Sequence, residues 1–167
     1  MALDAYLQLD GIQGEATEDN HKNWIQLTQI AHGIAQQASK NPPGGQRATT
    51  ANSQHDAIQV VKKVDKSTPL LHQQCCSGKT IAKAAIDLLK DAGDKRVVYL
   101  KYELTNVLIA GVKLKGDQAD AEEADETVQL KYGTIKWTYQ TTDPSTGSVT
   151  GNVPAGWDLS KNAKLGG

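Results

Sequence analysis

Apolar and polar side chains alternate with a period of two in segment after segment of this chain. Leu3, Ala5, Leu7 and Leu9 hold one parity, and Asp4, Tyr6 and Gln8 hold the other. Val98, Leu100, Tyr102 and Leu104 alternate with Tyr99, Lys101 and Glu103. Successive side chains of a strand point to opposite faces, so these segments read as half-buried β-strands. Ile58, Val60 and Val64 share a parity and predict another, and residues 107–114 predict one more after a kink at Asn106. Residues 127–140 read as one long strand whose parity flips from Val128, Leu130 and Tyr132 to Ile135, Trp137 and Tyr139. Gly133 stands at the flip and is a natural bulge site. Residues 24–36 flip too, from Ile25 and Leu27 to Ile30 and Ile34, which calls for a bulge or a strong bend. Six or seven strands with one clear helix favour an antiparallel barrel or sandwich.

The helix is expected over residues 67–77. Ser67 suits the N-cap, and Pro69 is tolerated in the first turn, whose N–H groups lack intrahelical partners. Leu71 and Cys75 lie four apart on one face, and Gly78 can close the helix in the left-handed conformation. Residues 80–89 are ambiguous. Ile81, Ala85, Leu88 and Leu89 fit a helix, whereas Ala82, Ala84, Ile86 and Leu88 fit a strand, and the alanine and lysine content favours helix.

The remaining segments read as loops. Residues 14–23 are polar. Residues 39–56 form an eighteen-residue stretch with no large apolar side chain, expected to protrude. Residues 117–126 hold six acids in ten positions and read as a solvated loop. Residues 143–151 are turn-rich, and Gly156-Trp157-Asp158-Leu159 reads as a short anchor at most.

A chain of 167 residues is expected to be one domain, 1–167, with enough buried surface to fold without a metal or disulfide. Phe is absent, so Val, Leu, Ile, Ala, Tyr and Trp must build the core. Eighteen basic residues against nineteen acidic ones leave a net charge of -1, which argues against nucleic acid or an anionic membrane as a partner. Only Arg47 and Arg96 are arginine, which weakens the nucleic-acid reading further. No apolar run is long enough to insert into a membrane. The start has no positive region and its apolar residues are bracketed by Asp4 and Asp10, unlike a signal peptide. Cys75 and Cys76 are adjacent, too close for an ordinary disulfide, and are expected to be free thiols made in a reducing compartment.

Catalytic motifs fail one by one. Ser77-Gly78-Lys79-Thr80 looks like the end of a phosphate-binding loop, but Gln73 stands where the first glycine is needed. His21, His32, His55 and His72 lack metal-ligand spacing and read as surface or loop residues. The acidic run lacks the glycine and alternating ligands of a calcium loop. Cys75 lies in the C-terminal half of its helix, where the dipole disfavours a thiolate. No nucleophile elbow is present. The expectation is therefore no catalytic residue, no cofactor and no metal, in a soluble β-rich binding or structural domain. A hydrolase using Cys75 or a Ser/His pair is the rival that this reasoning sets aside.

An ordered set of segments carries a resemblance. Asp10-Gly11-Ile12-Gln13-Gly14-Glu15 follows the first strand, and Asp65-Lys66-Ser67-Thr68-Pro69-Leu70-Leu71 runs into Cys75-Cys76-Ser77-Gly78-Lys79. Val98-Tyr99-Leu100 leads to Leu104-Thr105-Asn106-Val107-Leu108-Ile109. Residues 126–139 then precede Gly156-Trp157-Asp158. In this order and spacing the chain resembles, over essentially its full length, the Hcp family, the haemolysin-coregulated proteins of bacterial type VI secretion systems.

The resemblance implies a small antiparallel β-barrel of two sheets with one short flanking α-helix, and a strand at residues 81–89 against their local propensity. It implies a homohexameric ring that stacks into a tube, a VgrG-type spike and a contractile sheath as partners, and small effectors carried in the ring lumen. It also implies a protein made in the bacterial cytoplasm and exported without a signal peptide. In such a protein Leu71 and Cys75 would pack the helix on the barrel. The long loop, with Asn41, Pro42, Pro43, Gly44, Gly45, Gln46 and Arg47, would carry the ring-to-ring contact. The alternative reading is a monomeric β-sandwich binding module.

Overall fold

The computed structural model describes residues 3–36, 52–118 and 123–165. In chain order these hold β1 (Asp4–Leu9), β2 (Ile25–Leu27), β3 (Gln29–Ala31), β4 (Ile34–Ala35), β5 (Gln54–His55) and β6 (Ile58–Lys63). Helix α1 (Thr68–Ser77) follows, then β7 (Ile81–Ala92), β8 (Lys95–Lys115), β9 (Asp125–Lys131), β10 (Thr134–Thr142), β11 (Val149–Asp158) and β12 (Ala163–Lys164). Every strand pairing among the described residues is antiparallel. The protein is thus mainly β with one short helix.

The main path of pairing runs β12-β11-β10-β8-β7-β1-β2. A branch leaves β8 through β9 and β6 to β3, and β4 and β5 pair with each other apart from the rest. This order is that of an open sheet with a branch, so the pairings alone do not trace a closed barrel. One apolar cluster lies between the elements. It contains the fully buried Leu7, Ile25, Ile58, Leu71, Ile86 and Ile135, drawn from β1, β2, β6, α1, β7 and β10.

Strand β8 has 21 residues and replaces the two strands expected over 96–104 and 107–114. Asn106 sits in its middle with a φ of 52°, so the kink bends the strand without ending it. The opposite correction applies to residues 127–140. They form two strands: β9 pairs with β8 from Leu108 onward, and β10 pairs with β8 between Leu100 and Thr105. Gly133 lies between them, where its N–H donates to the Thr105 carbonyl at 2.9 Å. A Cβ at position 133 would stand 3.1 Å from the Asn106 Cβ, so any larger residue would force Asn106 to give way at this crossing.

The parity change in residues 24–36 also marks a crossing. Ile25 and Leu27 are buried in β2 beside β1, and after Thr28 the chain pairs with β6 as β3. Residues 81–89 are a strand. Ala84, Ile86 and Leu88 join the main core, and alternation puts Leu89 on the opposite face, in a second cluster with Tyr6 and Ala16. From Ala84 to Leu89 both faces of β7 are covered, which is why its sequence fits two periodicities at once. Residues 149–158, expected to be a turn and an anchor, form a ten-residue strand. Gly151, Pro154 and Gly156 hide it from any propensity reading, and most of its side chains are exposed. Residues 54–55, expected to be loop, pair with Ile34–Ala35. Residues 39–51 and 119–122 of the two expected loops lie outside the described residues.

Helix α1 begins after Ser67 and ends at Gly78, whose φ of 64° is the left-handed cap that glycine accepts without strain. Ser67 occupies the N-cap, but its hydroxyl does not cap the helix and instead donates to Asp65 Oδ1. Leu71 is fully buried, and Cys75 is partly buried against the same core. Leu71→Ala is expected to destabilise the subunit by roughly 2–5 kcal/mol, whereas the near-isosteric Leu71→Met should cost less than about 1.5 kcal/mol. Urea denaturation under monomer-forming conditions measures both.

Candidate functional site

Three clusters of polar side chains tie the elements together, and none was expected. The first fastens α1. Lys62 and Glu126 are cross-strand partners of β6 and β9, and both are fully buried. Lys62 Nζ donates to Glu126 Oε2 at 2.8 Å and Thr68 Oγ1 at 3.1 Å, and lies 3.0 Å from Asp65 Oδ1. Thr68 Oγ1 accepts the Asp65 N–H and donates to Glu126 Oε2 at 2.7 Å. The ammonium thus makes two hydrogen bonds and a close ion pair with Asp65. His72 Nδ1 donates to the Thr68 carbonyl at 2.8 Å and stands 3.5 Å from Glu126 Oε1. Buried charges are tolerated only when paired and hydrogen-bonded in this way.

Parity could have revealed the pair. Lys62 continues the buried face of Ile58 and Val60, and Glu126 continues that of Val128 and Leu130. In the sequence Glu126 reads as part of a solvated acidic loop, because its neighbours are acidic. In the structure Asp125 and Glu126 are the first residues of β9.

The second cluster lies on the opposite face of β1 and β7. His21 is only 3% exposed, a correction to its reading as a surface or loop residue. Its Nε2 meets Asp87 Oδ2 at 2.9 Å, and its Nδ1 makes a short contact with Glu18 Oε2. The ring stacks on Tyr6 with centroids 4.8 Å apart and meets Trp24 edge-on at 4.7 Å. Burial alone would push the Glu18 carboxyl up, but its hydrogen bonds and charge pairing with His21, and the Asn20 N–H, hold it below the usual range. The buried His21 thus helps pin the polar segment 14–23 to the sheet, beside Ala16.

The third cluster stands where β3 passes into β4. Tyr132, between β9 and β10, is 7% exposed. Its hydroxyl lies 2.8 Å from His32 Nε2 and 2.6 Å from His55 Nδ1, and Ser53 Oγ lies 3.2 Å from His55 Nε2. Tyr102 of β8 touches His32 edge-on at 5.9 Å and leads to Trp137 of β10 at 6.5 Å. Burial pushes the Tyr132 hydroxyl well above its ordinary value, with Tyr102 and Asp56 adding to the effect. Burial pulls both imidazoles below theirs.

Of the residues singled out from sequence, Leu71 and Cys75 share the inner face of α1, and the segment Asn41–Arg47 lies outside the described residues. Cys75 and Cys76 are free thiols. Among the described residues no group of three His, Cys, Asp or Glu side chains could hold a metal, and no helix is long and apolar enough to cross a membrane. The described surface instead offers apolar side chains on its edge sheet. Tyr139 and Val153 are cross-strand partners of β10 and β11, 44% and 60% exposed, and Val149 is 50% exposed.

Residues 6–139 match the family model described as Type VI secretion system effector, Hcp. The chain belongs to the Hcp family. It is 29% identical over 164 residues to Protein hcp1 of Pseudomonas aeruginosa, across 98% of this chain and 99% of that one. Among solved structures it is similar to Hcp1 from Salmonella typhimurium, with 30% identity, a TM-score of 0.80 and coverage of 99% and 100% of the two chains. A structure described as a type six secretion system protein gives a TM-score of 0.89 at 27% identity, covering 98% and 100%. This Hcp chain is accordingly a tube and effector protein of a type VI secretion system, a family of secreted structural proteins.

The Lys62 cluster makes a sharp prediction for this Hcp subunit. Lys62→Ala leaves Glu126 buried without its cation and should cost about 3–5 kcal/mol, whereas Lys62→Met combined with Glu126→Leu should be near neutral or stabilising. Chemical denaturation of the two variants side by side separates these outcomes.

Proposed function

We propose that this chain is the structural subunit of the type VI tube: six copies close into a ring, rings stack, and the lumen carries small effectors. The observation that carries the reading is the match to Hcp1 from Salmonella typhimurium over 99% of this chain and 100% of that one. A VgrG-type spike would cap the tube and a contractile sheath would drive it. The protein would be made in the bacterial cytoplasm and leave without a signal peptide. It would need no catalytic residue, cofactor, nucleic acid or membrane insertion.

The subunit is read as one domain, 1–167, built on a small barrel. Support for closure comes from chain continuity at the corner between β2 and β3. Pairing runs β8-β7-β1-β2, the chain continues through Thr28 into β3, and β3 returns through β6 and β9 to β8. The Thr28 N–H donates to the Val61 carbonyl at 2.7 Å, so hydrogen bonding does not lapse at the corner. Leu71 and Cys75 would hold α1 across this barrel.

For ring closure the occupant assigned to the β10–β11 face is a second copy of this chain. A ring of identical subunits needs head-to-tail contacts, and an apolar strand edge with Tyr139, Val149 and Val153 exposed suits one side of such a contact. For stacking, Pro42-Pro43 would stiffen the base of the long segment and Gly44-Gly45 would permit its turn, with Asn41, Gln46 and Arg47 supplying polar contacts.

Native mass spectrometry should find a species six times the 17.9 kDa subunit. A sharp 17.9 kDa particle at all micromolar concentrations would instead favour the monomeric binding module. Val153→Glu should break the ring while changing monomer stability by less than about 0.5 kcal/mol, because the side chain is exposed. Shortening 42–52 to a tight turn should leave the hexamer intact and abolish tubes in electron micrographs. Tubes that persist would move the stacking contact elsewhere.

A further inference from the structure

The His32–Tyr132–His55 cluster lies where the strands on either side of residues 37–51 meet the body of the protein. Ile34 and Ala35 of β4 pair with His55 and Gln54 of β5, and the Asp56 N–H donates to the Gly33 carbonyl at 3.0 Å. Beyond this ladder, His32 and His55 both bond the Tyr132 hydroxyl, which they share.

A phenol hydroxyl has one hydrogen to give and lone pairs to accept with, and a neutral imidazole has one donor and one acceptor nitrogen. With both rings neutral, Tyr132 donates to one and accepts from the other. With one ring protonated the arrangement survives, because the imidazolium donates to the oxygen and the hydroxyl still donates to the neutral ring. The second proton breaks it. Both rings then donate to the same oxygen, the Tyr132 hydrogen loses its acceptor, and two positive charges face one buried atom. We propose that this cluster is a two-proton clamp, which holds the β4–β5 pair to the β9–β10 turn at neutral pH and releases it when both histidines are protonated.

The surroundings favour this behaviour. The groups facing the two rings are Tyr132 from the β9–β10 turn, Tyr102 from β8, Ser53 and Asp56 from the strand flanks, and each other. Burial disfavours the charged form of both rings; His55 disfavours it further at His32, and Asp56 opposes that effect. One carboxylate can offset one proton and not two. The sign follows from linkage. The folded values lie below the unfolded value of about 6.5, so the clamp contributes its full stability above that pH and loses it as the pH falls toward the folded values.

The clamp stands on its own hydrogen bonds. Its effect on tubes rests on the proposal that residues 41–47 stack, so the clamp is tested by a local measurement. Hydrogen exchange of residues 33–36 and 53–56, corrected for intrinsic rates, is followed from pH about 7.5 to about 5, where histidine titrates. Protection in the wild type should fall by about tenfold or more, the factor expected for one extra bound proton over a pH unit. His32→Gln and His55→Asn each place an amide where the bonding nitrogen stood and leave one titrating ring, so protection should persist to pH about 5. Tyr132→Phe should lose protection at every pH.

Flat protection in the wild type overturns the proposal. So does an equal acid loss in both single-histidine variants, or wild-type protection in Tyr132→Phe. If a variant fails to fold, the imidazole resonances of the wild type decide the matter: protection must fall with the second protonation step and not the first. Loss of tubes in acid with unchanged exchange would place acid sensitivity at another contact and overturn the clamp, whereas acid release of the clamp with tubes intact would count against stacking through 41–47 alone.

Discussion

The structure depends on one strand serving two partners on the same edge. Strand β8 is hydrogen-bonded to β10 along its first half and to β9 along its second, while β7 covers the other edge as far as Val107. A 21-residue strand twists strongly over its length, so its two halves cannot face the same neighbours. The change of partner falls at Thr105–Asn106, where Asn106 takes a positive φ and Gly133 leaves room for the crossing. The Leu159 N–H also bonds the Gly133 carbonyl there, at 3.0 Å, so the end of β11 is tied to the same point.

Around this frame, buried polar side chains do the fastening that apolar packing cannot specify. Each cluster joins an irregular or short element to the sheet: α1 through Lys62 and Glu126, the segment 14–23 through His21, and the β4–β5 pair through Tyr132. Apolar packing fixes which face is buried but tolerates many neighbours, whereas a buried carboxylate or imidazole with a displaced partner is left unpaired. The same logic places such groups at the ends of strands. Lys62 is the penultimate residue of β6 and Glu126 the second of β9, next to the helix they hold.

The surface is consistent with a protein that meets copies of itself. Charges nearly cancel over the whole chain, which limits repulsion between identical subunits. Three large exposed apolar side chains, Tyr139, Val149 and Val153, lie on β10 and β11 near the end of the pairing path.

Local alternation sufficed to place β1, β6 and most of β8, because a strand with one buried face must carry apolar residues at every second position. The helix was equally legible, from Pro69 at its start, Gly78 at its end and Leu71 and Cys75 one turn apart. Family resemblance, not periodicity, decided residues 81–89, since a strand covered on both faces loses its alternation. What the chain could not disclose locally depends on partners distant in sequence. Whether residues 127–140 form one strand or two is settled by the crossing at Asn106, twenty-seven positions before Gly133. Strand β11 exists because β10 offers it a free edge, not because Val149–Asp158 has strand propensity. Glu126, His21 and Tyr132 look like loop or ordinary core residues, because a polar side chain shows its role only when folding brings its partners within hydrogen-bonding distance. Pattern determines which face is buried; only tertiary contact decides which polar groups go with it.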